Sequence, residues 1–170
     1  MLIMRRHVFA GLFAVSALSG SVPEVSAQAP APAALTARPG WVISSTPHAF
    51  AALVSRLEET VKANKMGLVN AASASDGAKA QGFTIPGNRV VGVYRNDFAR
   101  RMLAASIPAG IEAPIRFYVS ENADGKASLS YVKPSTVFAP YFVGAGADLQ
   151  KVAEELDVIF AKIHAEAIAP

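Results

Sequence analysis

Apolar residues fall into two rhythms along this chain of 170 residues. Phe50, Leu53, Val54, Leu57 and Val61 recur at intervals of three and four, one stripe at the helical period, and Arg56, Glu58, Glu59 and Lys62 fall mainly off it. Leu149, Val152, Leu156, Ile159, Phe160 and Ile163 form a second stripe, predicting a long last helix capped by Asp148. Between the two, the period drops to two. In Pro114–Glu121, Ile115, Phe117 and Val119 take one face, while Arg116, Tyr118 and Ser120 take the other. Asn122–Gly125 is turn chemistry, with Asp124-Gly125 suited to the positive φ of a tight hairpin. The next strand sets Ala127, Leu129 and Tyr131 against Ser128 and Ser130. One apolar and one polar face describe an antiparallel sheet covered on one side. Phe117 and Tyr131 are therefore expected in the core.

The remaining segments complete the order. Trp41–Ser45 predicts a first strand, with Trp41 and Ile43 on one face and Val42 and Ser44 on the other. Thr46 is placed as N-cap and Pro47 as the first residue of the helix that follows, with Gly67 as its C′ residue. Leu68–Ala72 reads as a short strand, and Ser73–Asn88 as a loop or broken helical turn. Arg89–Arg95, apolar on both faces, has the pattern of a central strand. Asp97 is placed as the cap of a short helix through Leu103, and Pro134–Ala147 as an apolar loop. The expected fold is α+β in the order β-α-β-β-α-β-β-α. Helices lie on one face of an antiparallel sheet, in a single domain over residues 40–168.

The N-terminus changes the setting. Met1–Arg6 is short and basic, Val8–Leu18 is apolar, and Val25-Ser26-Ala27 offers small residues for cleavage. Residues 1–27 therefore read as a signal peptide cleaved near Ala27, making the protein exported, periplasmic or secreted, with no membrane span left after cleavage. The apolar run is about half of the ~20 residues that a span needs. Residues 28–39, rich in Ala and Pro, read as a disordered linker. Losing residues 1–27 removes Arg5, Arg6 and Glu24, lowering the formal net charge of +3 by one. So small a charge, with no run of like charges, points away from nucleic acid. The chain has no cysteine, which excludes disulfides, thiolate metal sites and thiol redox chemistry.

Certain residues carry a resemblance. An amphipathic helix bearing Phe50, Leu53 and Leu57 leads to Gly67, then Gly82, then the V-V-G-V-Y strand around Gly92. Pro114 precedes an alternating strand, followed by Asp124-Gly125-Lys126, Ser130-Tyr131 and Pro134. In this order and spacing, over most of residues 40–165, the chain resembles the domain of unknown function 302 family. The resemblance implies a TATA-binding-protein-like layer, a curved antiparallel sheet carrying two main helices, and it carries no settled activity. Many members have an Asp-His pair after the second strand and an Asn-Pro after the V-x-G strand. Here those stretches read Ser75-Asp76-Gly77 and Arg95-Asn96-Asp97, without the histidine or the proline.

The chemistry on offer is sparse. No G-x-S-x-G elbow, phosphate loop or H-E-x-x-H motif occurs. His164 and Glu166 are two apart, so on a helix they point different ways and do not make a metal site. No metal or cofactor is expected. His48, placed in a helix's first turn, is either a neutral, reactive imidazole or an ordinary exposed histidine. One reading is a hydrolase or isomerase using His48, Asp76 or Asp97 with Arg116, which requires these groups to converge. The other is a non-catalytic module that binds a small ligand or protein partner through Arg95, Arg116, Tyr118, Phe138, Tyr141 and Phe142. Polar sheet-face groups beside an aromatic loop suit such a surface, unless the loop simply closes the core. A homodimer through that loop or the sheet is expected as well, because an uncovered sheet leaves edges and a face in water.

Overall fold

The computed structural model describes residues 35–170. The signal peptide and residues 28–34 of the linker lie outside the described residues. The described residues form five strands and five α-helices, in the order β1 (Trp41–Ala49), α1 (Phe50–Ala63), β2 (Gly67–Ala72), α2 (Ala74–Ala80), β3 (Asn88–Tyr94), α3 (Asn96–Ala105), β4 (Ile115–Glu121), β5 (Lys126–Val132), α4 (Pro134–Phe138) and α5 (Asp148–Ile168). Short 3-10 turns at Pro108–Glu112 and Ala139–Tyr141 complete it. The strands form one antiparallel sheet in the order β1-β5-β4-β3-β2. The fold is α+β, with α1 and α5 laid on the sheet.

Both predicted stripes face that sheet. Leu53, Leu57 and Val61 of α1 are buried, with Phe50 and Val54 packed beside them. Leu149, Val152, Leu156, Phe160 and Ile163 do the same from α5. They meet Ile115, Phe117 and Val119 of β4 and Ala127, Leu129 and Tyr131 of β5, all buried. At the centre, Phe117 stacks on Phe160 with centroids 4.8 Å apart, and Tyr131 tilts against both. Each large apolar side chain so removed from water stabilises the fold by roughly 1.5–3 kcal/mol before the entropy of ordering it is counted.

Ion pairs and carbonyl contacts tie the helices down. Arg101 of α3 reaches Asp148 (3.1 Å) and Glu155 (2.7 Å) of α5. Its guanidinium holds both carboxyls below their ordinary range. Arg56 of α1 donates to Ala167 O (2.9 Å) and Ala169 O (2.6 Å), and His48 Nε2 donates to Ala169 O (2.8 Å). These donors meet carbonyls that the end of α5 leaves without helical partners.

Several local expectations are corrected. β1 does not stop at Ser45 but runs to Ala49, past a register break between Ser45 and Ala49. Thr46 is buried in that strand, not an N-cap: its hydroxyl donates to Ala127 O (2.8 Å) and accepts the His48 N–H (3.2 Å). Pro47 and His48 consequently precede α1, whose N-cap is Ala49. Lys65 (φ 59°), not Gly67, takes the left-handed conformation after α1. Asp97 lies inside α3 and bonds Arg95 instead of capping. Asp148 opens α5, but its carboxylate goes to Arg101, not to the helix N–H groups. Ser73–Asn88 contains α2, capped by the Ser73 hydroxyl. Pro134–Ala147 is not an open loop. Phe138 is 2% exposed, and Tyr141 and Phe142 pack against the core. Among the described residues, no helix is long and apolar enough to cross a membrane.

Candidate functional site

Strand parity turns a second set of residues away from the helices. The register pairs Trp41 with Val132, Ile43 with Ser130, Tyr118 with both Ser130 and Val90, and Arg116 with Gly92. These residues share the uncovered face. Gly92 has no room for a side chain, since a Cβ there would meet Asn70 Cγ and Pro114 Cγ, each at 2.9 Å. Ser130, though polar, is 1% exposed, and its hydroxyl donates to Tyr118 O (3.3 Å). Ser128 is also buried, donating to Asn122 Oδ1 (3.0 Å). Buried hydroxyls need such partners, and both of these have one.

A groove of about 340 Å³ runs over it. Leu35, Trp41, Val90, Tyr118, Val132 and Val137 give it apolar and aromatic walls, and Arg116, Glu112 and Ser130 supply polar groups. Arg116 is exposed and forms no ion pair among the described residues. Glu112 Oε1 accepts the Tyr141 hydroxyl (2.8 Å), which pushes the Tyr141 pKa up. On the rim, the Arg38 guanidinium lies 5.2 Å from the Trp41 ring centroid. Glu112 is the carboxylate among the residues that line this groove.

The family follows from comparison with known proteins. A family profile described as "Domain of unknown function DUF302" matches residues 42–166, more than half of the chain. The chain belongs to the DUF302 family. Its fold is similar to the crystal structure of an uncharacterised conserved DUF302 protein from Bacillus stearothermophilus. The TM-score is 0.66 at 16% identity, over 75% of this chain and 98% of that one. No match is found among curated proteins. The DUF302 match begins at Val42, so most of the groove lies inside it, while Leu35 and Trp41 stand just before it.

Of the six binding residues expected from sequence, this DUF302 domain brings Arg116 and Tyr118 together in the groove. Arg95 and Phe138 go elsewhere. Arg95 falls on the helix side of β3, pairs with Asp97 at 2.8 Å and covers the Phe98 ring at 4.3 Å. With Phe138 it borders a cleft of about 30 Å³ walled by Met66, Phe98, Met102 and Phe160, too small for more than water-sized occupants. Tyr141 serves the groove only through Glu112, and Phe142 is part of the core's margin.

The hydrolase or isomerase set does not assemble. His48 is engaged with the end of α5, Asp76 with Arg89 (3.4 Å) at the start of β3, and Asp97 with Arg95 just past its other end. Arg89 and Arg95 are six residues apart along extended chain, about 20 Å. Arg116 faces the groove, apart from all three. Among the described residues, no cluster of three or more His, Cys, Asp or Glu could hold a metal ion.

Sequence reasoning missed Trp41 and Glu112 as site residues. The signal was partial. Trp41 was readable as alternating with Val42, but its neighbour Val132 lies across a long-range strand pair. Glu112 stands alone in sequence and meets Tyr141 only through the folding of α4 and its 3-10 turn.

Proposed function

We propose that this DUF302 protein is an exported, non-catalytic module that binds a small molecule in the groove on the uncovered sheet face. The observation that carries the reading is Arg116, a cation without a carboxylate partner among the described residues, set beside the aromatic walls Trp41 and Tyr118 in a concave site. Small-ligand sites are concave and mostly apolar, with a few oriented polar groups, and ~300 Å³ is the lower end of their range. Export is supported by the basic, apolar and small-residue succession of Met1–Ala27. Amino-terminal sequencing of the protein recovered from the cell envelope or medium should begin at Gln28. Recovery of the intact chain from the cytoplasm would defeat the export reading.

Trp41 is the only tryptophan in the chain, so its emission reports on the groove directly. A screen of small polar and amphipathic metabolites should find compounds that change Trp41 emission and raise the melting temperature together, because binding to the native state alone stabilises it. A broad screen that moves neither signal would remove the proposal.

A self-association reading is favoured by one further feature, the edge strand β2. Its residues Gly67–Ala72 carry no charge and are largely exposed. The opposite edge, β1, contains Pro47 and a register break. Neutral, unguarded edges are templates for another strand. We assign the expected homodimer to antiparallel β2–β2 pairing about a two-fold axis, which closes after two copies. Val69→Lys should turn a dimer seen by light scattering into a monomer. A dimer that survives it is held elsewhere.

A further inference from the structure

The groove carries both signs of charge. Glu112 closes the 3-10 turn before β4, and Arg116 is the second residue of β4, so both line one cavity from positions four apart in sequence. Four residues of chain reach no further than about 14 Å. No ion pair joins the two. Glu112 is oriented by the Tyr141 hydroxyl on Oε1, which leaves Oε2 open to a donor. Arg116 keeps its planar fork of donors open for a carboxylate.

Resting on the groove as a ligand site, we propose that its ligand is zwitterionic: an α-amino acid or short peptide with an apolar side chain. Its carboxylate meets Arg116, its ammonium meets Glu112, and the side chain lies against Trp41, Tyr118 and Val132. The choice follows from what each alternative leaves unmatched. A plain anion satisfies Arg116 but brings its charge towards Glu112. A plain cation does the reverse. An apolar molecule desolvates both charges and pairs neither, which is costly. Only a ligand carrying both groups meets the whole rim.

The test uses four related probes on the full-length protein, read by Trp41 emission: leucine, the dipeptide leucyl-leucine, N-acetylleucine (anion only) and leucinamide (cation only). One of the two zwitterions should bind at least about tenfold tighter than either single-charge analogue, the scale of one charged hydrogen bond. Arg116→Gln should erase the preference over leucinamide by weakening every carboxylate-bearing probe. Glu112→Gln should weaken leucinamide and the zwitterions while leaving N-acetylleucine equal or tighter. If N-acetylleucine binds the native protein as tightly as the zwitterions, the site is a simple anion site and the inference is wrong, though the groove still binds. A zwitterionic ligand is equally excluded if an uncharged compound from the wider screen moves Trp41 and no zwitterion does. If no compound of any kind moves Trp41, the groove reading itself has failed. Melting curves of both variants matching the parent's ensure that lost binding is not lost folding.

Discussion

Along β4, Phe117 and Arg116 are neighbours in the chain and belong to opposite faces of one sheet. Phe117 is sealed between Phe160 and Tyr131, with Ile115 and Val119 beside it. Arg116 stands in water at the rim of a groove. The helix-covered face holds what the fold needs, large apolar side chains in contact. The uncovered face bears the groove proposed as a ligand site, with a cation, a carboxylate and aromatic walls. The core and the proposed ligand site thus lie a single residue apart, yet on separate surfaces. Either can be altered with little effect on the other.

The sharpest way to break this comparison is to substitute across the strand. Phe117→Ala should cost ~3–5 kcal/mol, as large-to-small changes in packed cores do, whereas Arg116→Ala should stay within ~0.5 kcal/mol. Denaturant unfolding measures both, and equal losses would erase the distinction between faces.

Acidity should probe the covered face next. His164 is 7% exposed, its ring 5.5 Å from Tyr131, and its Nε2 has no hydrogen-bond partner among the described residues. Burial lowers its pKa, against a smaller opposing effect from a hydrogen bond with the Leu129 backbone. The unfolded chain therefore takes up a proton at a pH where the folded protein still refuses it. Stability from this group is complete above the ordinary histidine value of about 6.5. It is lost as pH falls below that, by up to ~1.4 kcal/mol per pH unit, until the folded-state pKa is reached. His164→Leu should flatten the stability profile in that window, leaving the carboxylate losses at lower pH from Asp97, Asp148 and Glu155. An unchanged profile would move the acid sensitivity elsewhere.

Ser130 sharpens the boundary, since it points to the uncovered face and is nonetheless buried. Ser130→Ala removes a donor to Tyr118 O and should cost about 1 kcal/mol by urea titration. The smallest effect belongs to Trp41→Phe, which should leave the melting curve nearly unchanged and abolish the emission signal. A large shift would make Trp41 a structural residue, not a groove wall.

Local pattern carried the covered face well. The alternation at Ile115, Phe117 and Val119 assigned the sides of β4, and the two helical stripes assigned α1 and α5, because periodicity is written in contiguous residues. What escaped it depended on distant partners. Thr46-Pro47 has the chemistry of a helix start, but Thr46 finds Ala127 across the sheet and the strand continues. Ser128 and Ser130 alternate as if wet, yet Asn122 and the Tyr118 carbonyl satisfy them in the interior. Phe138 looked like a ligand contact, and α4 folds it inward under α5. The groove itself is the meeting of β1, β5 and β4 with the turn at Glu112, none of which any single stretch announces.

The hold of Arg56 and His48 on the last turn of α5 has a consequence for resistance to proteases. Helix ends are prone to fray and so to be cut. Here the carbonyls of Ala167 and Ala169 are bonded to side chains more than a hundred positions earlier, so the end of α5 is part of the folded body. A protease that cuts in the last turn of α5 must first dislodge Arg56 and His48. Cleavage there should therefore follow opening of these contacts instead of simple fraying of the helix end.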